Sequence, residues 1–131
     1  MTKVIRLKND TYLNGTVIES GSNTNGNYVK YADGRMECWG KKTLNNIPIT
    51  STTQSGVYIS SWQAGITYAK EFISVPDIQN IFVHHTATRI WLEPQIGALT
   101  KSSTSGYFLV SESSTTLSEV TIGYFAIGRW K

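Results

Sequence analysis

The chain is poor in the residues that most simple assignments of function depend on. It has one cysteine, Cys38, among 131 residues, so no disulfide can form within the chain and no cysteine-based zinc site can be built. It has two histidines, the adjacent His84 and His85. Neighbours on a strand point to opposite faces, so the pair cannot chelate one ion, though either could meet its copies on a threefold axis. Charged residues are 16% of the chain, well below the usual quarter. No apolar run is long enough to span a membrane, and no apolar leader follows Met1. The expectation is synthesis in the cytoplasm without a signal peptide and no membrane insertion.

Catalytic signatures are equally scarce. The nine carboxylates form no recognisable acid–base pair. Ser20-Gly-Ser-Asn-Thr-Asn-Gly26 lacks the lysine and following helix of a phosphate loop. No serine lies in a nucleophile-elbow pattern, and Cys38 has no base beside it. The net charge is +3, but the basic residues are scattered rather than gathered in a stripe, which argues against a nucleic-acid partner. These features predict a protein that is not an enzyme and uses no cofactor or metal.

Serine, threonine, asparagine and glycine are abundant instead, together with four tryptophans and seven tyrosines. Short β-prone runs recur between turn signals. Tyr28–Tyr31 and Arg35–Gly40 flank Asp33-Gly34, a strong hairpin signal. A two-residue type I′ turn there would pair Tyr31 with Met36, Lys30 with Glu37, Val29 with Cys38 and Tyr28 with Trp39. Val29, Tyr31, Met36 and Cys38 would then face the core, opposite a Lys30–Glu37 ion pair. Ser20–Asn27 reads as a loop. Pro48 confines residues 44–49 to an edge strand or loop. The run 64–73 fits a helix or a strand, and its Gly, Thr and Tyr content favours a strand. Residues 57–60, 78–86, 89–93, 107–110 and 119–129 are further strands. In the last, Val120, Ile122, Tyr124 and Ala126 alternate with Thr121, Gly123, Phe125 and Ile127. Many short strands without a long amphipathic helix predict an all-β, antiparallel β-sandwich.

Aromatic side chains are the candidates for function. Their faces stack on the C–H faces of a sugar while polar neighbours bond its hydroxyls. Arg89, Trp91 and Glu93 should share one strand face, opposite Ile90 and Leu92, and make the best local picture of such a site. Trp62 and Tyr58 are further candidates for carbohydrate contact.

Two stretches resemble a known family. Gly26-Asn-Tyr-Val-Lys-Tyr-Ala-Asp-Gly34 with Glu37-Cys-Trp-Gly40, and the terminal Tyr124-Phe-Ala-Ile-Gly-Arg-Trp-Lys131, resemble the C-terminal receptor-binding (tip) domains of bacteriophage and prophage tail-fibre proteins. The resemblance covers residues 17–131 and leaves 1–16 as an N-terminal arm or stalk remnant. It implies a homotrimeric sandwich on the virion, at the tip of a tail fibre. Such a domain would adhere to a bacterial surface glycan such as wall polysaccharide or teichoic acid. It also implies subunit contacts at Tyr28, Trp39, Tyr124 and Trp130. The rival expectations are a tail, baseplate or head-fibre tip without ligand, and a fragment of a cell-wall glycan depolymerase.

Overall fold

The computed structural model describes residues 6–7, 11–12, 15–53, 55–84, 89–95 and 99–131. The strands are β1 (Arg6–Leu7), β2 (Thr11–Tyr12), β3 (Val17–Asn23), β4 (Gly26–Tyr31), β5 (Arg35–Thr52), β6 (Tyr58–Ser60), β7 (Asp77–His84), β8 (Ile90–Pro94), β9 (Tyr107–Ser111) and β10 (Thr115–Arg129). All pairings are antiparallel, and no helix occurs among the described residues. β1 and β2 pair with each other as a separate ribbon.

The other eight strands form one curled sheet that forks at β5. One edge of this 18-residue strand pairs with β10 from Arg35–Arg129 to Ile49–Thr115, and β10 pairs onward with β7. Its other edge pairs first with β4, through residues 36–39, and later with β6, through residues 49–52. β3 extends the first arm, and β9 and β8 extend the second. Pro48 therefore lies inside a long strand, where its flank faces neither β4 nor β6, so the missing N–H costs no ladder bond on that side. Asn46, with φ 53°, is the one non-glycine residue with positive φ among those described, and the β5–β10 pairing skips it.

Between the arms lies a single core. It contains Met36, Cys38 and Ile49 of β5, Tyr107 and Leu109 of β9, and Leu117, Val120, Ile122, Tyr124 and Ala126 of β10. The alternation expected in β10 is therefore the alternation found. Cys38 is fully buried, and its thiol donates to the carbonyl of Lys70 at 3.6 Å.

The β4–β5 hairpin differs from expectation by one residue. Ala32, Asp33 and Gly34 separate the strands, and only Gly34 has positive φ, at 94°. Tyr28 thus pairs with Cys38, Val29 with Glu37 and Lys30 with Met36. A one-residue slip moves a strand's side chains to the other face. Tyr28 and Lys30 turn inward, while Val29 and Tyr31 turn outward. The Lys30–Glu37 ion pair is not made. Lys30 lies 3.4 Å from Glu19, which also accepts the Tyr28 hydroxyl at 2.7 Å, and Glu37 accepts the Tyr31 hydroxyl at 3.1 Å. The longer loop is held by the end of β10. Arg129 Nη2 donates to Asp33 O (2.8 Å), the Trp130 amide to Gly34 O (2.9 Å) and the Trp130 indole to Tyr31 O (2.8 Å).

Two other expectations are corrected. Of the expected loop Ser20–Asn27 only Thr24 and Asn25 form a turn; Ser20–Asn23 and Gly26–Asn27 are strand, because β3 and β4 supply each other with backbone partners that outweigh the poor β propensity of Ser, Gly and Asn. Residues 64–73 are neither helix nor strand; a bridge at Thr67 is the only sheet pairing in that span. The loop before β9 takes up their backbone groups: Tyr68 N donates to Ser102 O, Phe72 N to Lys101 O and Ile66 N to Thr104 Oγ1. Ile66, Tyr68, Ala69 and Phe72 are buried at irregular spacing and cap the core.

Candidate functional site

The second arm, β6–β9–β8, has two distinct faces. Tyr58, Ser111 and Ile90 form one cross-strand row, and Tyr58, Ile90, Leu92 and Leu109 pack on the core. Ile59, Val110 and Trp91 form the next row, on the outer face. Glu93 pairs with Phe108 on that same outer face. Arg89 is exposed just before β8 and reaches Glu112 at 3.4 Å. The expected Arg89–Trp91–Glu93 face is thus formed, with Ile90 and Leu92 turned inward. Tyr58 is removed from it, because its parity in β6 points its ring into the core.

Trp62 joins this surface from a different direction. Its neighbour Gln63 bridges to Tyr107, with amide–carbonyl bonds of 2.8 and 3.0 Å in both directions. That bridge lays the indole flat against Gly106, where any Cβ would collide with Cζ2, Cε2 and Nε1 of the ring. Gly106 has the same strand parity as Phe108 and Val110. The outer face therefore carries two indoles, Trp62 at 54% and Trp91 at 42% exposure, with Phe108 between them. Gly106, which seats the Trp62 ring, and Val110, the cross-strand partner of Trp91, are roughly 13 Å apart along the strand at about 3.3 Å per residue. The floor is firm, since Val110 is only 1% exposed. Arg89 and Glu112 are both largely in water, so their ion pair contributes little to stability and leaves both groups able to turn toward a ligand.

The four side chains expected at subunit contacts have varied environments. Tyr124 is corrected to a core residue. It is 3% exposed within its own chain, and its hydroxyl accepts from Ala69 N and donates to Asn25 O, both at 2.9 Å. Burial pushes that phenol up to about 12. Tyr28 is half-buried and bonded to Glu19. Trp130 is half-buried, with the Lys30 and Lys131 ammonium groups 5.2 and 4.9 Å from its ring centre. Trp39 is 36% exposed and stacks on Phe125, with ring centroids 6.4 Å apart and planes 27° from parallel. The expected Tyr28–Trp39 pair does not form, because the slipped register sends the two to opposite faces.

The Trp39–Phe125 stack borders a groove of about 880 Å³ on the outer face of β4, β5 and β10. Asn23, Thr24 and Asn27 reach it from the β3–β4 turn, and Lys41 and Thr121 from the long strands. No linear motif joins these positions; cross-strand register alone brings them together. Trp39 is the one signal in the sequence, and its expected partner Tyr28 lies on the opposite face. The side chain of His84, and His85 entirely, lie outside the described residues, so the threefold-axis metal idea falls there too.

Comparison of the chain with protein-family models, with curated proteins and with solved structures finds no match.

Proposed function

We propose that this chain is the receptor-binding tip domain of a phage or prophage tail fibre. It adheres without catalysis to a bacterial surface glycan such as wall polysaccharide or teichoic acid. The observation that carries this reading is the pair of exposed indoles, Trp62 and Trp91, mounted on one rigid outer sheet face beside Arg89, Glu93 and Glu112. Indole planes take the C–H faces of sugar rings, and the flanking guanidinium and carboxylates bond the hydroxyls between them. Little of this surface has to reorganise on binding, because Trp62 rests on the backbone at Gly106 and Trp91 is paired across strands with the buried Val110.

A homotrimer on the virion is part of the same reading. On β10, Ala126 faces the core while its neighbour Ile127 faces outward, so the end of the strand beyond Phe125 is apolar on both sides, as in strands covered on both faces. Val29 lies in the same outward row as Ile127, with Glu37 of β5 between the two, and Tyr31 lies beyond it on β4 with its hydroxyl bonded to Glu37. Three copies meeting along this surface would present three equal sites, and avidity would multiply weak individual contacts.

The test is adsorption of the purified domain to a panel of bacterial cells, with and without soluble wall glycan as competitor. Trp91→Ala should weaken adsorption strongly, Lys42→Ala much less, and the mass in solution should be the same for both. Undiminished adsorption by the Trp91 variant removes this face from consideration. Absence of adsorption by the wild-type domain, across cells and extracts, favours a ligand-free tip.

A further inference from the structure

The groove beside Trp39 differs in chemistry from the Trp62–Trp91 face. One wall is aromatic, made by Trp39 and Phe125 on paired strands. The opposite end is hydroxylic, where Thr121 lines the groove and its Oγ1 lies 3.2 Å from that of Thr43. Between them Lys41 pairs with Gly123, so an ammonium stands beside a position with no side chain. Asn27 stands next to Trp39 in the same cross-strand row and supplies an amide. The described residues lining the groove include this one ammonium and no carboxylate. The outer arm is the reverse, with Glu93 and Glu112 against Arg89.

A concave site with one apolar wall, neutral hydrogen-bonding groups and a single uncompensated cation suits a small polyhydroxylated ligand bearing one negative charge. We propose that the Trp39 groove is a second binding site, taking an anionic saccharide or polyol unit, such as a uronate or a polyol phosphate. The ring or carbon chain lies on the Trp39–Phe125 wall, its hydroxyls meet Asn27 and Thr121, and its carboxylate or phosphate meets Lys41. Gly123 leaves the floor open for it. The inference rests on the reading of this chain as a glycan-binding domain, and extends it to a second site that selects for charge.

The experiment is a solution NMR titration of the full chain, following the indole N–H of Trp39, assigned by its loss in Trp39→Phe. The probes are methyl glucuronide and glycerol 1-phosphate, with methyl glucoside and glycerol as uncharged counterparts. The expected result is a saturable shift with at least one anionic probe, weaker at higher salt and absent with the uncharged pair. The tighter of the two anions identifies the kind of polymer. Lys41→Met should weaken binding about fivefold, as suits a partly solvated ion pair. Gly123→Ala should weaken it without unfolding the chain, since a Cβ there meets nothing closer than Gly40 O at 3.4 Å. Equal shifts with charged and uncharged probes, or no shift with any, overturn the proposal. A silent groove in a domain whose adsorption still depends on Trp91 refutes this site alone. A silent groove in a domain that adsorbs to nothing refutes both readings.

Discussion

Gly106→Ala is the sharpest test of the indole platform. The added methyl would fall within 3.0 Å of three atoms of the Trp62 ring, so the indole must leave its seat. Trp62 is 54% exposed, so nearly half of its surface is covered, on the order of 110 Å² for a side chain of about 250 Å². At about 25 cal/mol per Å² the full loss of that cover would be ~3 kcal/mol, an upper figure. A ring free to swing aside regains part of its contact elsewhere, so the expected loss is about 1–2 kcal/mol. In a chain of 131 residues this lowers Tm by about 4–8 °C. Thermal unfolding measures the stability, and acrylamide quenching of tryptophan fluorescence reports the freed indole. Gly123→Ala is the control, since its Cβ has room, and should change stability by no more than about 0.5 kcal/mol. In a double-mutant cycle, Trp62→Ala and Gly106→Ala should be far from additive. A Gly106 variant with wild-type Tm and quenching would show that the indole does not rest there, and the two-indole surface would fail with it.

Gly34→Ala should cost about 2–3 kcal/mol in urea unfolding, because the new methyl both strains a residue at φ 94° and displaces the Arg129 guanidinium from Asp33 O. The Cys38 thiol should resist an aromatic disulfide reagent in the native state at pH 8 and react on unfolding. Burial raises its pKa from 9.0 to about 11, so the folded chain holds a proton that the unfolded chain releases, and stability should fall as pH rises across that interval. The buried phenols of Tyr107 and Tyr124, pushed up to about 12, steepen the same alkaline limb. At the acid end the Tyr28 hydroxyl holds the Glu19 carboxyl below its ordinary value of 4.5. That contribution is present at neutral pH and is lost as pH falls from 4.5 through the folded value; Tyr28→Phe should flatten this acid limb of the stability profile.

Local patterns in the sequence were reliable where a strand has one wet and one dry face. The β10 alternation and the Arg89–Trp91–Glu93 face both follow from period-two spacing, and both are found. The β4–β5 hairpin was legible as a hairpin but not in its register. Residues almost a hundred positions away decide it, since Arg129 and Trp130 bond to the loop backbone. Ser20–Asn23 carries no strand signal of its own and takes its form from β4. Residues 64–73 read ambiguously because their buried side chains follow the shape of the loop beneath them, not a helical or strand period. At the site, Trp91 could be found from its neighbours along the chain. Trp62 could not be placed beside it, because its seat is a glycine 44 residues later. The groove was hidden for the same reason, being assembled from three separate segments.

The long β5–β10 ladder also bears on how the chain reaches this structure. Its closest partners, Ile49 and Thr115, are 66 residues apart, and its farthest, Arg35 and Arg129, are 94 apart. Closing the shorter loop costs about 4 kcal/mol of chain entropy before the ladder returns any of it. The β3–β4–β5 meander and the β8–β9 pair can form from nearby residues while β10 is still unpaired. Until β10 docks, one edge of β5 is open and the core lacks Leu117, Val120, Ile122, Tyr124 and Ala126, a species prone to association. Folding should therefore be slow for a domain of this size, in milliseconds to seconds, with β10 docking as the limiting step. Lower protein concentration during refolding should raise the yield, since it gives the tenth strand time to arrive before another molecule does.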